Sequence, residues 1–360
     1  MTESGRPGLA GTLRSAVPSI LALGLGLVVA SLVMLVFGLD PVKIFSLLFS
    51  GALTTQFGQS SVLTYMYSYI LLALAFLLPG KAGIWNVGGQ GQAIFGGVTA
   101  AILVEFVTLP PVIWPLAAII VAVLAGAAWA AISGLLEAYR NASAIVTTIM
   151  MNYIAANLAT FLLYYVLIPK ANVPGFYNDV VFPSGVTLTT LPYFTTSVMI
   201  FVAVIVAVAS AFFLNRTSLG YKIRATGLGS RPAESKGINP RSTKVVAMII
   251  GGGIAGLAGA GAVMSVGHGC GTVACYQDGF ASGWFGGIGF AGIAVALVAA
   301  NNPVGSIFSA VFFSVLAAGM PYAFQSIYVV WAMQGIIILF MAAPQLSRII
   351  LTARRKRKWT

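Results

Sequence analysis

The chain has 360 residues, of which 59% are hydrophobic and only 7% are Asp, Glu, Lys or Arg, with a formal net charge of +12. Ordinary globular domains carry roughly 25% charged residues, and a soluble fold of this length cannot cover its surface with so few. Disorder is excluded by the same composition, because so much apolar surface must be buried somewhere, and the chain reads as an all-α, polytopic integral membrane protein.

A spanning helix needs roughly 20 apolar residues. Residues 1–16 read as a short cytoplasmic tail. Residues 17–38 read as an uncleaved first span, since this uncharged run is too long for the core of a signal peptide. Residues 39–61, with Asp40, Lys43 and the polar run from Thr54 to Ser61, read as an outside connection. The second span is 62–79. It is followed by a glycine-rich turn, PGKAGIWNVGGQGQ, at 79–92. The third span covers about 91–108 and ends before Pro110-Pro111, because proline disfavours helix at the preceding residue. The fourth and fifth spans, 112–136 and 143–168, are joined by a turn holding Glu137, Arg140 and Asn141. An outer loop at 169–193 leads to the sixth span, 194–214. The longest inner loop is 215–243. The seventh span, 244–266, contains GGGIAGLAGAG and is followed by an outer loop, 267–281. Spans at 282–300, 303–320 and 326–345 complete a membrane domain over 17–345, and 346–360 is a basic cytoplasmic tail. The expected total is about ten spans. A β-barrel fits poorly, since barrel strands alternate apolar and polar residues and runs such as 116–131 do not.

Orientation follows from the basic residues. With ten spans and both termini cytoplasmic, 17 of the 19 bases fall inside and only Lys43 and Lys170 fall outside. Nine or eleven spans would place the basic loop and the basic tail on opposite faces. The bases sit at span ends and not on a soluble domain, which argues against nucleic acid as a partner. The run from Arg354 to Lys358 is suited to anionic membrane lipids.

Several motifs stand out. The segment 83–97 has a glycine-rich counterpart at 283–297, one opening a span that runs outward and the other a span that runs inward. Such pairs mark the inverted repeats of transporters, although glycine-rich helices also resemble one another by chance. Gly252 and Gly256 form a small-residue face suited to close helix packing, within the chain or against a second subunit. Asn86, Gln90 and Gln92 supply uncharged donors and acceptors amid glycines that loosen the helix. Irregular backbone at depth is tolerated where protein or a water-filled cavity surrounds it. The segment therefore reads as lining a path for an uncharged polar solute, or else as an ordinary inner turn. Asn152 and Asn157, on the fifth span, suit pathway lining or interhelical hydrogen bonding equally.

No clear proton-coupling device appears, since Glu105 sits near an outer end and Glu137 near an inner end, where a proton-driven carrier would place an Asp, Glu or His within the spans. The chain also lacks a Walker A run, the hydrolase motifs and a metal-ligand cluster. The reading is therefore not an enzyme and binds no cofactor, and any ATP would be hydrolysed on another chain. An ion-coupled secondary transporter working alone is the competing reading. Cys270 and Cys275 share an outer loop with His268 and could pair in an oxidising compartment or remain free thiols. In the inner loop, Pro232 to Lys236 forms a short helix that Gly237 ends, a handle for a cytoplasmic partner.

Four stretches together carry a resemblance. Arg224, Ala225, Gly227, Ala233, Gly237 and Ile238 match the pattern R-A-x-G-x-N-x-x-A-A-x-x-x-G-I, with Gly229 in place of Asn and Pro232 in place of Ala. Ala82, Gly83, Asn86, Gly88, Gly91 and Gln92 match R-A-G-x-x-N-I-G-x-E-G-Q, with Lys81 for Arg and Gln90 for Glu. The run from Ala144 to Ile154, and the run from Ile293 to Leu297 followed by Asn302 to Gly305, supply two more. In this order and spacing the sequence resembles permease subunits of bacterial and archaeal ABC importers in the branched-chain amino acid and simple-sugar group, nearest the nucleoside-importer branch. The resemblance implies two inverted halves, a second permease subunit (homologous or identical) and two ATP-binding subunits. Those subunits would use ATP and Mg and grip the 224–238 segment, including Glu234. An extracytoplasmic solute-binding protein or lipoprotein would deliver nucleosides or simple sugars. The location implied is the cell membrane.

Overall fold

A computed structural model describes residues 24, 27–36, 38–110, 112–167, 188–189, 191–194, 196–264, 287–323 and 335. The described residues are helical throughout their regular structure. In chain order the helices are α1 (Leu27–Val36), α2 (Pro41–Thr54), α3 (Gln56–Lys81), α4 (Gly89–Phe106), α5 (Trp114–Arg140) and α6 (Ala144–Leu162), which continues as a π-helical turn over Leu163–Leu167. Then follow α7 (Met199–Arg216), α8 (Ser218–Leu228), α9 (Ser230–Glu234), α10 (Pro240–Met264), α11 (Ile288–Val298) and α12 (Gly305–Ala323). Among the described residues, α3, α5, α6 with its π turn, α7, α10 and α12 are long and apolar enough to cross a membrane. Of the other expected spans, α1 is the described part of the first and α4 matches the third. α11 is the described part of the eighth. The tenth lies outside the described residues apart from residue 335.

The segment 39–61, read from its polarity as an outside connection, is helical over most of its length. Asp40 caps α2, its carboxylate accepting from the Val42 and Lys43 amides at 3.0 and 3.3 Å, with Pro41 at the first helical position. α2 buries Ile44, Leu48, Gly51 and Ala52 on one face against α12. α3 then begins at Gln56. The hydroxyls of its polar first half are satisfied by its own backbone: Ser60, Thr64 and Ser68 each donate to the carbonyl four residues back. A hydroxyl satisfied this way can enter a buried helix without a second partner.

α10 occupies the middle of the bundle and packs against α5, α4 and α3. The cause is its small-residue surface. Gly252 and Gly256 face Gly126 and Ala122 of α5, Gly259 faces Ala93 of α4, and Gly251 faces Ala75 and Pro79 of α3. The GxxxG face thus finds its partner within the chain. Backbones this close gain dispersion and weak Cα–H···O contacts in lipid, where the hydrophobic effect does not join helices. A methyl group on Gly256 would run into the Ala122 carbonyl oxygen, which is fixed backbone. Gly256→Leu is therefore expected to cost about 3 kcal/mol, the upper range for overpacking, read as a lowered unfolding temperature in detergent. Gly253→Ala should change little, because its added methyl meets a side-chain atom, Val123 Cγ1, at 3.3 Å.

Candidate functional site: a re-entrant segment and the loop beneath it

α3 ends in a tight turn. The Ile84 amide reaches back to the Pro79 carbonyl at 3.1 Å and the Gly83 amide to that of Gly80 at 3.1 Å, with Gly83 at φ +82°. This is a helix stop that needs a left-handed residue, which glycine supplies without steric cost. The chain then doubles back. Residues 84–88 run alongside the last turns of α3, and α4 starts well above the end of α3. Gly89 lies near Leu72 and Ala75, two to three turns before Lys81. The first turn of α4 is therefore inside the bundle.

Side-chain amides hold this re-entrant segment in place. Proline at position 79 has no N–H to give the Ala75 carbonyl four residues back. The Asn86 side chain donates to that carbonyl instead, at 3.0 Å. Asn86 and Gln92 also exchange amide hydrogen bonds at 3.0 and 2.9 Å, and Asn86 Oδ1 accepts from the Gly88 amide at 3.1 Å. From α6, Asn152 accepts from the Gly91 amide at 2.8 Å and donates to the Val87 carbonyl at 3.0 Å. Thr148, also on α6, accepts from the Val87 amide at 3.3 Å. Asn86 is 1% and Gln92 2% exposed. Asn86, Gln92 and Asn152, three of the five polar residues singled out in the sequence, thus form one connected clamp between α3, α4 and α6.

Gln90 stands apart from the clamp. It is partly exposed, and its Oε1 is shielded and has no hydrogen-bond partner among the described residues. It sits where the first turns of α4 and α11 meet, since a methyl on Gly289 would lie 2.6 Å from Gln90 Cβ. These are the two glycine-rich segments whose likeness was visible in the sequence, and their helices begin side by side.

The inner loop is two helices, not one. Thr217 caps α8 through the Gly220 amide at 3.0 Å. α8 buries Gly220, Ile223 and Thr226, and α9 buries Ala233. Pro232 falls inside α9 and not at its first position. The helix closes on Gly237 at φ +75°, where the Ile238 amide bonds the Ala233 carbonyl at 3.1 Å. Ala233 and Ile238 are both buried, while Glu234 is exposed and Arg224 and Ala225 are partly so. Leu228, at the knee between the helices, is 91% exposed.

The two sequence motifs meet here. Gly227 of α8 abuts the Lys81 carbonyl and the Gly83 amide, so closely that a methyl would overlap the Lys81 oxygen. At the same end, Glu137 accepts from the Ala144 amide at 2.9 Å and pairs with Lys244 at 3.5 Å, tying α5, α6 and α10 together. A recess of about 340 Å³ lies between them, bordered by Gly83, Trp85 and Asn141. Residues read as cytoplasmic from the charge count therefore gather at one end of the bundle. Cys270, Cys275 and His268 lie outside the described residues.

Three of these features escaped the sequence reading: the role of Thr148, the second helix in the loop, and the contact of Gly227 with the turn at 81–83. None of the three has a signal in the sequence; for the re-entrant turn itself Pro79 was one, because a proline in a buried helix leaves the Ala75 carbonyl needing a donor from elsewhere.

A sequence profile described as branched-chain amino acid transport system / permease component matches residues 58–342. A guanosine ABC transporter permease protein of Bacillus subtilis is 30% identical, over 94% of this chain and 96% of its own. A nucleoside ABC transporter permease protein of Lactococcus lactis is 29% identical, over 86% and 84%. A glucose ABC transporter permease protein of Haloferax volcanii is 28% identical, over 92% and 90%. No solved structure matches the chain.

Proposed function

The chain belongs to the branched-chain amino acid transport system / permease component family, and from that premise we propose that it carries a nucleoside inward through an importer driven by ATP hydrolysis on separate subunits. It is a membrane-embedded ABC transporter permease, a transport component whose family works with ATP-binding subunits and a substrate-binding protein. Family membership does not favour the ion-coupled carrier acting alone. In this reading two copies of the ATP-binding subunit hold ATP and Mg and engage the 224–238 segment. The chain itself holds no cofactor, and both termini are cytoplasmic. An extracytoplasmic binding protein or lipoprotein delivers the solute. A second permease, homologous or identical, completes the path. The side chain of Asn157 supports that last element: it is exposed on the apolar outer face of α6 and, among the described residues, bonds only its own helix, donating to the Tyr153 carbonyl at 2.8 Å. A polar side chain left facing lipid is costly.

The observation that carries the mechanism is the contact of Gly227 with Lys81 and Gly83. Movement of α8 by a partner is passed to the turn that ends α3, and from there to the clamp of Asn86, Gln92 and Asn152. Two arrangements of this lever, each favoured by a different nucleotide state of the partner, suffice for alternating access. Gln90, at the meeting of the α4 and α11 first turns, is the side chain best placed to touch solute, and that meeting supports two inverted halves. Nucleosides precede sugars because two relatives of similar identity are named for nucleoside and guanosine transport. The test is uptake of labelled guanosine and glucose by vesicles holding the permease, its ATP-binding subunit and its binding protein. Guanosine accumulation that requires ATP is expected. Accumulation without the ATP-binding subunit would sink the importer reading, and glucose uptake without guanosine uptake would sink the solute assignment.

A further inference from the structure

Among the described residues, α6 is the least buried of the six helices long enough to span. One side packs against α4 and α5. The other carries Met150, Tyr153, Ile154, Asn157, Phe161 and Tyr165, all exposed. Tyr153 and Asn157 are the tenth and fourteenth of the 24 residues in Ala144–Leu167, so they sit at mid-depth of the span.

The exposed sides of two other spans differ from this one. At mid-depth α5 shows Ile120, Leu124 and Ala128, and α7 shows Ile205, Val208 and Ala209. Exposed polar residues come only at their inner ends, as Tyr139 and Arg140 on α5 and as Asn215 and Arg216 on α7. Those are surfaces made for lipid. A tyrosine near a span end is an ordinary interface anchor, which accounts for Tyr165. A phenol and a carboxamide exposed at mid-depth are not accounted for by lipid, where each is costly.

The order of these side chains adds a second observation. Positions 153, 157 and 161 recur at intervals of four, which sets neighbours about 5–6 Å apart on one face. They present a ring, an amide and a ring. The series of rings continues past Phe161, whose centroid lies 4.9 Å from that of Tyr165. Asn157 spends one N–H on the Tyr153 carbonyl of its own helix, which leaves its Oδ1 and its second N–H available among the described residues. The face begins level with the first turn of α4, because Asn152 bonds the Gly91 amide beside Gln90. It rises from there away from the Lys81 end.

We propose that Tyr153, Asn157 and Phe161 form a ladder for the base of the transported nucleoside. The proposal rests on the nucleoside reading above and names the side chains that meet the base on a path closed by the second permease. A base offers two π-faces and a hydrogen-bonding edge. The rings stack on the faces, a contact that tolerates any base. The carboxamide, with donor and acceptor side by side, meets the edge, where bases differ. Rings on either side of one amide let the base advance along α6 without losing its stack. A free sugar has no π-face and many hydroxyls, and one amide between two rings serves it poorly.

The experiment uses vesicles holding the permease, its ATP-binding subunit and its binding protein. In a permease carrying Cys270→Ser and Cys275→Ser, a charged, membrane-impermeant methanethiosulfonate should label Asn157→Cys, since the thiolate that reacts forms in water. Guanosine should slow that labelling. Ile120→Cys and Ile205→Cys, on the apolar faces, should stay unlabelled. In the native background, Tyr153→Leu is expected to lower guanosine and cytidine uptake alike by about 10-fold, within the range for loss of one stacked ring. Tyr153→Phe should keep most of the uptake. Asn157→Leu should lower the two nucleosides unequally, because the amide reads an edge and a ring does not. Unlabelled Asn157→Cys together with normal uptake by Asn157→Leu would give the face to lipid and overturn the ladder. Loss of the second permease from the Leu variants would give the face to the contact between permeases, with the same consequence. Labelling that guanosine leaves unchanged, with an equal effect of Asn157→Leu on both nucleosides, would make this a wetted wall without a base contact and would also overturn it. Absence of guanosine uptake by the wild type would overturn the nucleoside reading and the ladder together.

Discussion

Gly227→Val is expected to reduce ATP-driven solute uptake about 30-fold while the ATP-binding subunit still associates. The magnitude is the middle of the range for coupling free energies between linked sites. The argument is steric. Any side chain at 227 would occupy the position of the Lys81 carbonyl oxygen, and that oxygen belongs to backbone fixed by the turn through Pro79 and Gly83. α8 must therefore lift away from α3, and the lever loses its contact without losing its outward surface, where Tyr221, Lys222, Leu228 and Arg231 remain exposed. ATP hydrolysis should continue and no longer depend on the solute-loaded binding protein. Gly80→Ala is the control, since a methyl there meets nothing within 4 Å and alanine is the better helix former. Normal uptake by Gly227→Val, or equal damage from Gly80→Ala, would remove the lever from the mechanism.

How far the molecule was legible in advance depends on how local each cause is. The packing of α10 was readable because Gly252 and Gly256 recur at a helical interval, and the structure sets that face on α5. The helix stop at Gly237 was readable because a short run after Pro232 ends in glycine. That the segment 39–61, read only as an outside connection, is helical was not legible, because Ser60 and Ser61 look like loop residues. Nothing in composition reveals that hydroxyls bond their own helix. The contact of Gly227 with Lys81 joins positions far apart in sequence, and a glycine that permits close approach looks the same as one that ends a helix. The clamp was half legible. Asn86, Gln92 and Asn152 stood out as polar residues amid apolar ones, but their geometry follows from the chain doubling back after Gly83, which no periodicity encodes.

Asn86→Leu is expected to lower the stability of the folded permease by about 4 kcal/mol, because each buried polar group left without a partner costs about 1–3 kcal/mol. Leucine has a similar volume, so no cavity confuses the result. It leaves the Ala75 carbonyl, the Gly88 amide and both ends of the Gln92 amide without the bonds Asn86 made. A loss of that size is a large share of the stability of an ordinary fold, about 5–15 kcal/mol, and it falls on the segment that positions Gln90. Thermal unfolding in detergent reads the stability, and guanosine uptake reads the function. Part of the damage has a specific remedy. If Asn86 substitutes for the N–H that Pro79 lacks, then Pro79→Ala restores a donor to Ala75 from within α3. The double variant Pro79→Ala, Asn86→Leu should then be more stable than additivity allows, by about 1 kcal/mol, the net worth of one such bond. Strict additivity would mean that the proline and the asparagine are independent. In that case the Asn86 amide would serve the Gly88–Gln92 turn alone, and the end of α3 would be held by the backbone turn at Gly83 without help from the side chain.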